Sequence, residues 1–262
     1  MDWWHTFSPS AVAFQLGFFT LSWYGIIIAG AVLAALAVAR FWFVRRGVSL
    51  DYMYGLLFWL LVFGVIGGRI GHIIGEWSYY SSNPGAIPAL WRGGIAIQGV
   101  LIADILTLWW YTRRHRLAFW GIADILAVAA PLAQAIGRWG NYFNQELYGG
   151  PTDVAWAIPI EPAYRLSGYA AATHFHPLFL YESLLMLELF IVMYVLYCKQ
   201  ALRPGEYTLL YFMLFPVVRF SLDFLRIDML AVGPLLLSQW ISIAFIIGAI
   251  GLWWYRRSRR KG

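Results

Sequence analysis

Charge is scarce in this sequence. Aspartate, glutamate, lysine and arginine make up 12% of its 262 residues, where a soluble domain carries about 25%. Hydrophobic residues reach 61%, more than a single water-soluble core can hide. Those two values exclude an ordinary soluble domain. The single cysteine, Cys198, excludes an internal disulfide framework and a cysteine-based metal site, and beside Lys199 it reads as a structural or incidental thiol. The opening "MDWWHTFSPS" lacks a basic n-region, so no cleaved signal peptide is expected, and Trp3, Trp4 and Phe7 suit a membrane interface. His5, His72, His115, His174 and His176 lack metal-ligand spacing, no HExxH or serine-nucleophile motif occurs, and neither metal nor cofactor is expected. Internal repeats, low-complexity tracts and a second domain are missing too, which leaves one integral-membrane domain over 1–262.

What is abundant is apolar sequence in long runs. A membrane-spanning helix needs about 20 mostly apolar residues. Seven segments qualify, at about 19–40, 53–75, 94–111, 118–137, 177–198, 206–225 and 235–255. Basic residues follow alternate spans: Arg40, Arg45 and Arg46; Arg113, Arg114 and Arg116; Lys199 and Arg203; then Arg256, Arg257, Arg259, Arg260 and Lys261. With seven crossings all of these lie on one side, and that side is cytoplasmic. The expected fold is an all-α polytopic membrane protein: seven transmembrane helices, N-terminus outside, C-terminus cytoplasmic, with a small periplasmic cap at 138–176. The net charge of +6 is then chiefly a topology signal. Nucleic acid is not an expected partner, because the basic residues form short stops without interleaved aromatics.

Six arginines break the pattern: Arg69, Arg92, Arg138, Arg165, Arg219 and Arg226. At about 1.5 Å per residue, Arg69 stands ~24 Å, Arg219 ~20 Å and Arg138 ~28 Å from the inner ends of their helices. All three thus reach the outer half of a ~30 Å hydrocarbon core. Arg69 sits in "GVIGGRIGHIIGEW", whose glycines recur every four residues and are most simply a close-packing face. In "VVRFSLDFLRID", Arg219, Asp223 and Arg226 share one helix face, and one acid offsets only one of the two arginines. Arg138, Asn141 and Gln145 share a face if their helix persists, with Asn144 and Glu146 close by. Asp104, Asp124 and Glu188 are lone acids in spans, for which a local hydrogen bond or a neighbouring helix is the simpler explanation than catalysis.

Guanidinium groups match phosphate with planar, paired donors. Several at the outer membrane level imply a phospholipid headgroup, with acyl chains left in the apolar bundle. A lipid-binding protein, a transporter or flippase, and an enzyme acting on the headgroup all remain open on this ground. Transporters tend to show inverted repeats or interrupted helices, and an intramembrane hydrolase needs an activated nucleophile; neither signal is present.

"GRWGNYFNQELYGGPTDVAWAI", from Gly137 to Ile158, resembles the central signature of the prolipoprotein diacylglyceryl transferases. "LSWYGIIIAG", "GGRIGH", "WRGGIAIQGVLI", "HPLFLYESL" and "PGEYTLLYFMLFPVVRFSLDFLRID" resemble further motifs of that family in the same order, over about residues 20–228. The resemblance implies an enzyme of the bacterial cytoplasmic (inner) membrane, multi-pass, its active site toward the outer leaflet. It implies transfer of diacylglyceryl from phosphatidylglycerol to the lipobox cysteine of a prolipoprotein, with a thioether formed and glycerol 1-phosphate released.

Carried over by position, the resemblance makes Arg138 the phosphatidylglycerol-binding arginine and Arg219 the essential arginine of the penultimate helix, the two expected catalytic residues. Tyr24, Arg69, Gln98, Asn141, Asn144, Glu146, Gly149 and Arg226 match further substrate-site positions. Three positions depart from the pattern. Many members carry histidine at Gln98, tyrosine at Phe215 and glutamate at Asp223. Histidine can act as a base and an amide cannot, so the identity of the proton acceptor stays open.

Overall fold

The computed structural model describes residues 6–17, 19–90, 93–229 and 231–259; Trp3, Trp4, His5, Arg92, Arg260 and Lys261 lie outside them. The chain is mostly helical. Among the described residues seven helices are long: α1 (Trp23–Arg45), α2 (Leu50–Gly75), α4 (Ile97–Arg114), α5 (Phe119–Phe143), α6 (Leu178–Cys198), α7 (Glu206–Asp223) and α8 (Leu237–Ser258). The short α3 (Trp77–Ser82) follows α2. Five helices, α1, α2, α5, α6 and α8, are long and apolar enough to cross a membrane. Large apolar side chains on their outsides, such as Leu33, Ile74 and Trp254, are 64%, 69% and 73% exposed, a surface that lipid covers and water does not tolerate. This is a multi-pass membrane protein. The remaining pair, α4 and α7, have eighteen residues and three acidic or basic side chains each.

Helix ends have local causes. Ser49 caps α2 by accepting from the Asp51 amide at 3.2 Å, and Asp51 suits the positive end of the helix dipole. Shortly after α4 and α6 the chain turns through left-handed residues, Arg116 (φ 55°) and Gln200 (φ 48°). Helix α5 covers the sequence-based span of 118–137 and runs on to Phe143, taking in Arg138 and Asn141. Hydropathy falls there, yet aromatic packing continues. Tyr142 stacks on Phe179 at 4.7 Å, Phe143 on Trp23 at 5.1 Å, and Trp139 Nε1 donates to Ser183 Oγ at 3.1 Å.

The chain is not all-α. Strand β1 (Val12–Leu16) pairs antiparallel with β2 (Phe19–Ser22), β3 (Ile158–Pro159) with β4 (His174–Phe175), and β5 (Ala231–Val232) with β6 (Leu235–Leu236). All six lie outside the long helices, where backbone groups must find partners without a helical ladder. The expected span at 19–40 therefore begins as β2 and becomes helical only at Trp23.

The helices fall into two compact units, one of residues 1–39 and 126–262, the other of 40–125. In the 40–125 unit the glycine spacing does what the sequence implies. A Cβ on Gly99 of α4 would collide with the Gly67 carbonyl of α2, one on Gly67 with Ala103, and the Ala96 amide donates to Gly68 O at 2.9 Å. In the larger unit, Tyr142, Tyr148, Ile158, Ile160, Phe175 and Phe179 form the apolar core of the cap. Arg165 fastens that cap, donating from Nε to Ile160 O and from Nη1 to Ala170 O.

Candidate active site

Arginines and acids alternate through the larger unit. Arg138 on α5 pairs with Glu182 on α6 (Nη2 to Oε1, 2.6 Å), and the other Glu182 oxygen takes Arg219 Nη1 of α7 at 2.7 Å. Arg219 Nη2 continues to Asp223 Oδ1 at 3.3 Å, and Arg226 Nη1 lies 3.8 Å from the same oxygen. Arg226 then grips Asp228 with two bonds, Nε to Oδ1 at 2.9 Å and Nη2 to Oδ2 at 2.7 Å. Burial raises the pKa of the Asp228 carboxyl, and this fork from Arg226 overrides it, leaving the group below the usual carboxylate range. Three arginines meet three carboxylates. The expected surplus of positive charge around Arg219 and Arg226 is thus absent, because Glu182 comes in from α6 and Asp228, two residues past Arg226 in the same stretch, turns back onto it.

The signature residues tie into this ladder. Arg138 Nη1 lies 3.4 Å from Asn141 Oδ1, Asn141 Nδ2 donates to Glu146 Oε1 at 2.8 Å, and Asn144 Nδ2 donates to the same oxygen at 3.3 Å. Gly149 sits where a Cβ would press on His176 Cβ at 2.8 Å and Leu225 O at 3.0 Å, and it bridges to Arg226. A side chain there would push the Leu225–Arg226 backbone away. The Tyr24 ring lies on Gly140, where a Cβ would come within 2.7 Å of it. Arg138, Asn141, Asn144, Glu146, Gly149, Arg219 and Arg226 are thus brought together, with Tyr24 packed on the same stretch of α5. Gln145 leaves the face expected for it. The helix has ended, Gln145 takes φ 51°, and its buried amide donates to Pro9 O at 3.1 Å and accepts from the Glu161 amide at 2.8 Å.

A cavity of about 10 Å³ lies among Arg138, Asn141, Glu182, Arg219 and Arg226. That is room for about one water. A phosphate can enter only if part of the ladder opens. Glu182, bridging two guanidinium forks, holds the kind of position an anionic oxygen pair would take.

Arg69 and Gln98 belong to the 40–125 unit. Gln98 is exposed in the first turn of α4. Arg69 is buried, and its donors meet backbone carbonyls: Nε to Ile87 at 2.8 Å, Nη1 to Gly93 at 2.7 Å and Gly94 at 3.1 Å, Nη2 to Ala86 at 2.7 Å and Ala89 at 3.5 Å. Its guanidinium also lies 5.2 Å from the centre of the Tyr80 ring. So arranged, Arg69 is a staple. Arg69→Met should destabilise this unit by on the order of 3 kcal/mol, since buried carbonyls lose their partners. An unchanged thermal midpoint in detergent, with unchanged amide exchange at 87–90, would refute the staple.

Glu182 is the site residue that sequence reasoning missed. Its signal was present: a lone acid in the apolar run "HPLFLYESL".

Residues 11–255 match the model of a family described as prolipoprotein diacylglyceryl transferase. Proteins named phosphatidylglycerol–prolipoprotein diacylglyceryl transferase are similar along nearly the whole chain. The one from Gloeobacter violaceus is 38% identical over 258 residues, covering 97% of this chain and 96% of its own. That from Parasynechococcus marenigrum is 40% identical over 268 residues, with coverages of 97% and 96%. The relative from Fervidobacterium nodosum is 39% identical over 243 residues, with coverages of 92% and 82%.

Proposed function

Because the chain belongs to the prolipoprotein diacylglyceryl transferase family, we propose that it moves diacylglyceryl from phosphatidylglycerol to the lipobox cysteine thiol of a prolipoprotein. The observation that carries the chemistry is the pair of guanidinium forks, Arg138 and Arg219, meeting on one carboxylate. The thiol sulfur attacks the glyceryl carbon that bears the phosphate. A carbon–sulfur bond forms, the carbon–oxygen bond breaks, and the electron pair leaves on the phosphate oxygen. The proton lost by the thiol balances the new charge on the departing glycerol 1-phosphate. Arg138 and Arg219 hold the phosphate and take up that developing charge through charge-assisted hydrogen bonds. Asn141 orients Arg138, Glu146 holds Asn141 and Asn144, and Gly149 lets the Arg226 segment close against the site. Tyr24 packs on the stretch of α5 that carries Arg138 and Asn141, and Arg69 and Gln98, in the 40–125 unit, match further family positions.

Seven crossings, with the N-terminus outside and the site toward the outer leaflet of a bacterial cytoplasmic membrane, fit this reading. Support comes from the basic residues that follow alternate helices. Support for counting α7 as a span comes from its ionisable groups, all paired: Glu206 with Arg257 at 2.7 Å, Arg219 with Glu182, and Asp223 with Arg219. At about 27 Å, an eighteen-residue helix nearly crosses the core.

Purified protein with labelled phosphatidylglycerol and a lipobox peptide tests the proposal. Thioether product is expected; release of label without peptide would mean hydrolysis, and lipid movement alone would mean transport. The transporter reading has no support from the relatives, whose names are those of transferases. Gln98→His should retain activity, because the substitution restores the side chain that many members carry. A folded but inactive Gln98→His protein would show that this branch uses the position differently.

A further inference from the structure

A larger cavity, of about 450 Å³, opens in the same unit, among Asn144, Glu146, Leu147, Tyr164, Leu166 and Asp228. All of these residues lie outside the long helices. Two features join it to the arginine site. Leu147 lines both cavities. It is held in the left-handed region at φ 54°, a conformation that costs a non-glycine residue about 1–3 kcal/mol and persists where surrounding structure fixes it. Arg226 lines the small cavity and Asp228 the large one, and the two are joined by their paired bonds. The large cavity therefore begins one side chain away from the proposed phosphate position.

Its walls favour one kind of occupant. Glu146 uses Oε1 for Asn141 and Asn144, which leaves Oε2 as an exposed acceptor. Leu147 and Leu166 provide carbon surface beside it. Asp228 is paired with Arg226, whereas Glu146 accepts from two neutral amides and keeps its negative charge. An added anion would meet that charge. A small neutral polyol fits all three conditions: hydroxyls to donate, a carbon face, no charge. The space holds many waters, where the small cavity holds about one, and is enough for a glycerol and a path out.

We infer that this cavity receives the glycerol end of glycerol phosphate, with the phosphate held at the arginines. This rests on the transferase reading. The moiety has two sources, the lipid headgroup before transfer and the free product after it.

The full-length protein in nanodiscs, binding labelled glycerol 1-phosphate, tests the assignment without turnover. Methyl phosphate should compete about tenfold more weakly, having no hydroxyls to bond. Leu166→Trp, which fills the cavity away from the arginines, should reduce glycerol phosphate affinity to that of methyl phosphate and leave methyl phosphate unchanged. Ala11 also lines the cavity, and Ala11→Phe, filling it from that side, serves if the tryptophan variant does not fold. A wild type with no preference for glycerol phosphate, filled variants that keep the preference, or tighter binding of phosphoethanolamine would each overturn the assignment. A raised KM for phosphatidylglycerol in Leu166→Trp identifies the lipid headgroup as occupant; an unchanged KM with weaker product inhibition identifies the product. Thioether formation by wild type, measured in parallel, separates the two readings: its absence sinks the transferase activity, whereas transfer without glycerol preference sinks only the cavity.

Discussion

Arg138→Ala and Arg219→Ala will each slow thioether formation by on the order of 10²–10³-fold while the protein still inserts into the membrane. Each arginine gives one Nη to a different oxygen of Glu182, so loss of either removes half of the proposed phosphate grip. The loss should appear in kcat, since charge on the leaving phosphate builds up as the carbon–oxygen bond breaks. Lysine should rescue little at either position, because an ammonium is a point charge and cannot present two parallel donors. Assays of purified variants with phosphatidylglycerol and a lipobox peptide read this directly. Near-normal transfer by either alanine variant would sink the phosphate-clamp mechanism.

Glu182→Leu should cost the fold about 3–5 kcal/mol, because removing one partner of a buried ion pair leaves uncompensated charge behind. Here two guanidinium groups lose their shared carboxylate at once, and Arg138 keeps only the long contact to Asn141. The thermal midpoint in detergent should fall well below that of wild type, and transfer should fall with it. Glu182→Gln should lose less stability, since the amide oxygen still accepts from one arginine. A Glu182→Leu protein as stable and as active as wild type would mean that the ladder is incidental to both fold and site.

Much of the architecture was legible because hydropathy is a local signal. Each of the seven long helices lies at a segment picked from apolar run length alone. Errors fell where local signals conflict with packing. Helix α5 continues past the polar Arg138 because Trp139, Tyr142 and Phe143 find aromatic partners far along the chain. The hairpin at Val12–Ser22 merges with an apolar run that hydropathy cannot divide. For the site, the signature kept Arg138, Asn141, Asn144 and Glu146 within nine residues, so their grouping could be read directly. Glu182 could not, since it is 37 residues from Arg219 and only the packing of α6 between α5 and α7 unites them. The same distance hid the neutrality of the ladder: a helix face shows its own charges and not those its neighbours bring.

Arg69 carries a further consequence. Oxygens of Ala86, Ile87, Ala89, Gly93 and Gly94 converging on one point resemble the coordination shell of a hard metal ion. Here the cation is covalently attached to α2. Order in those residues should therefore be indifferent to chelators and to the ionic composition of the medium, and it has no dissociation rate of its own. It depends instead on α2 being folded, since that helix carries the centre around which the later segment closes.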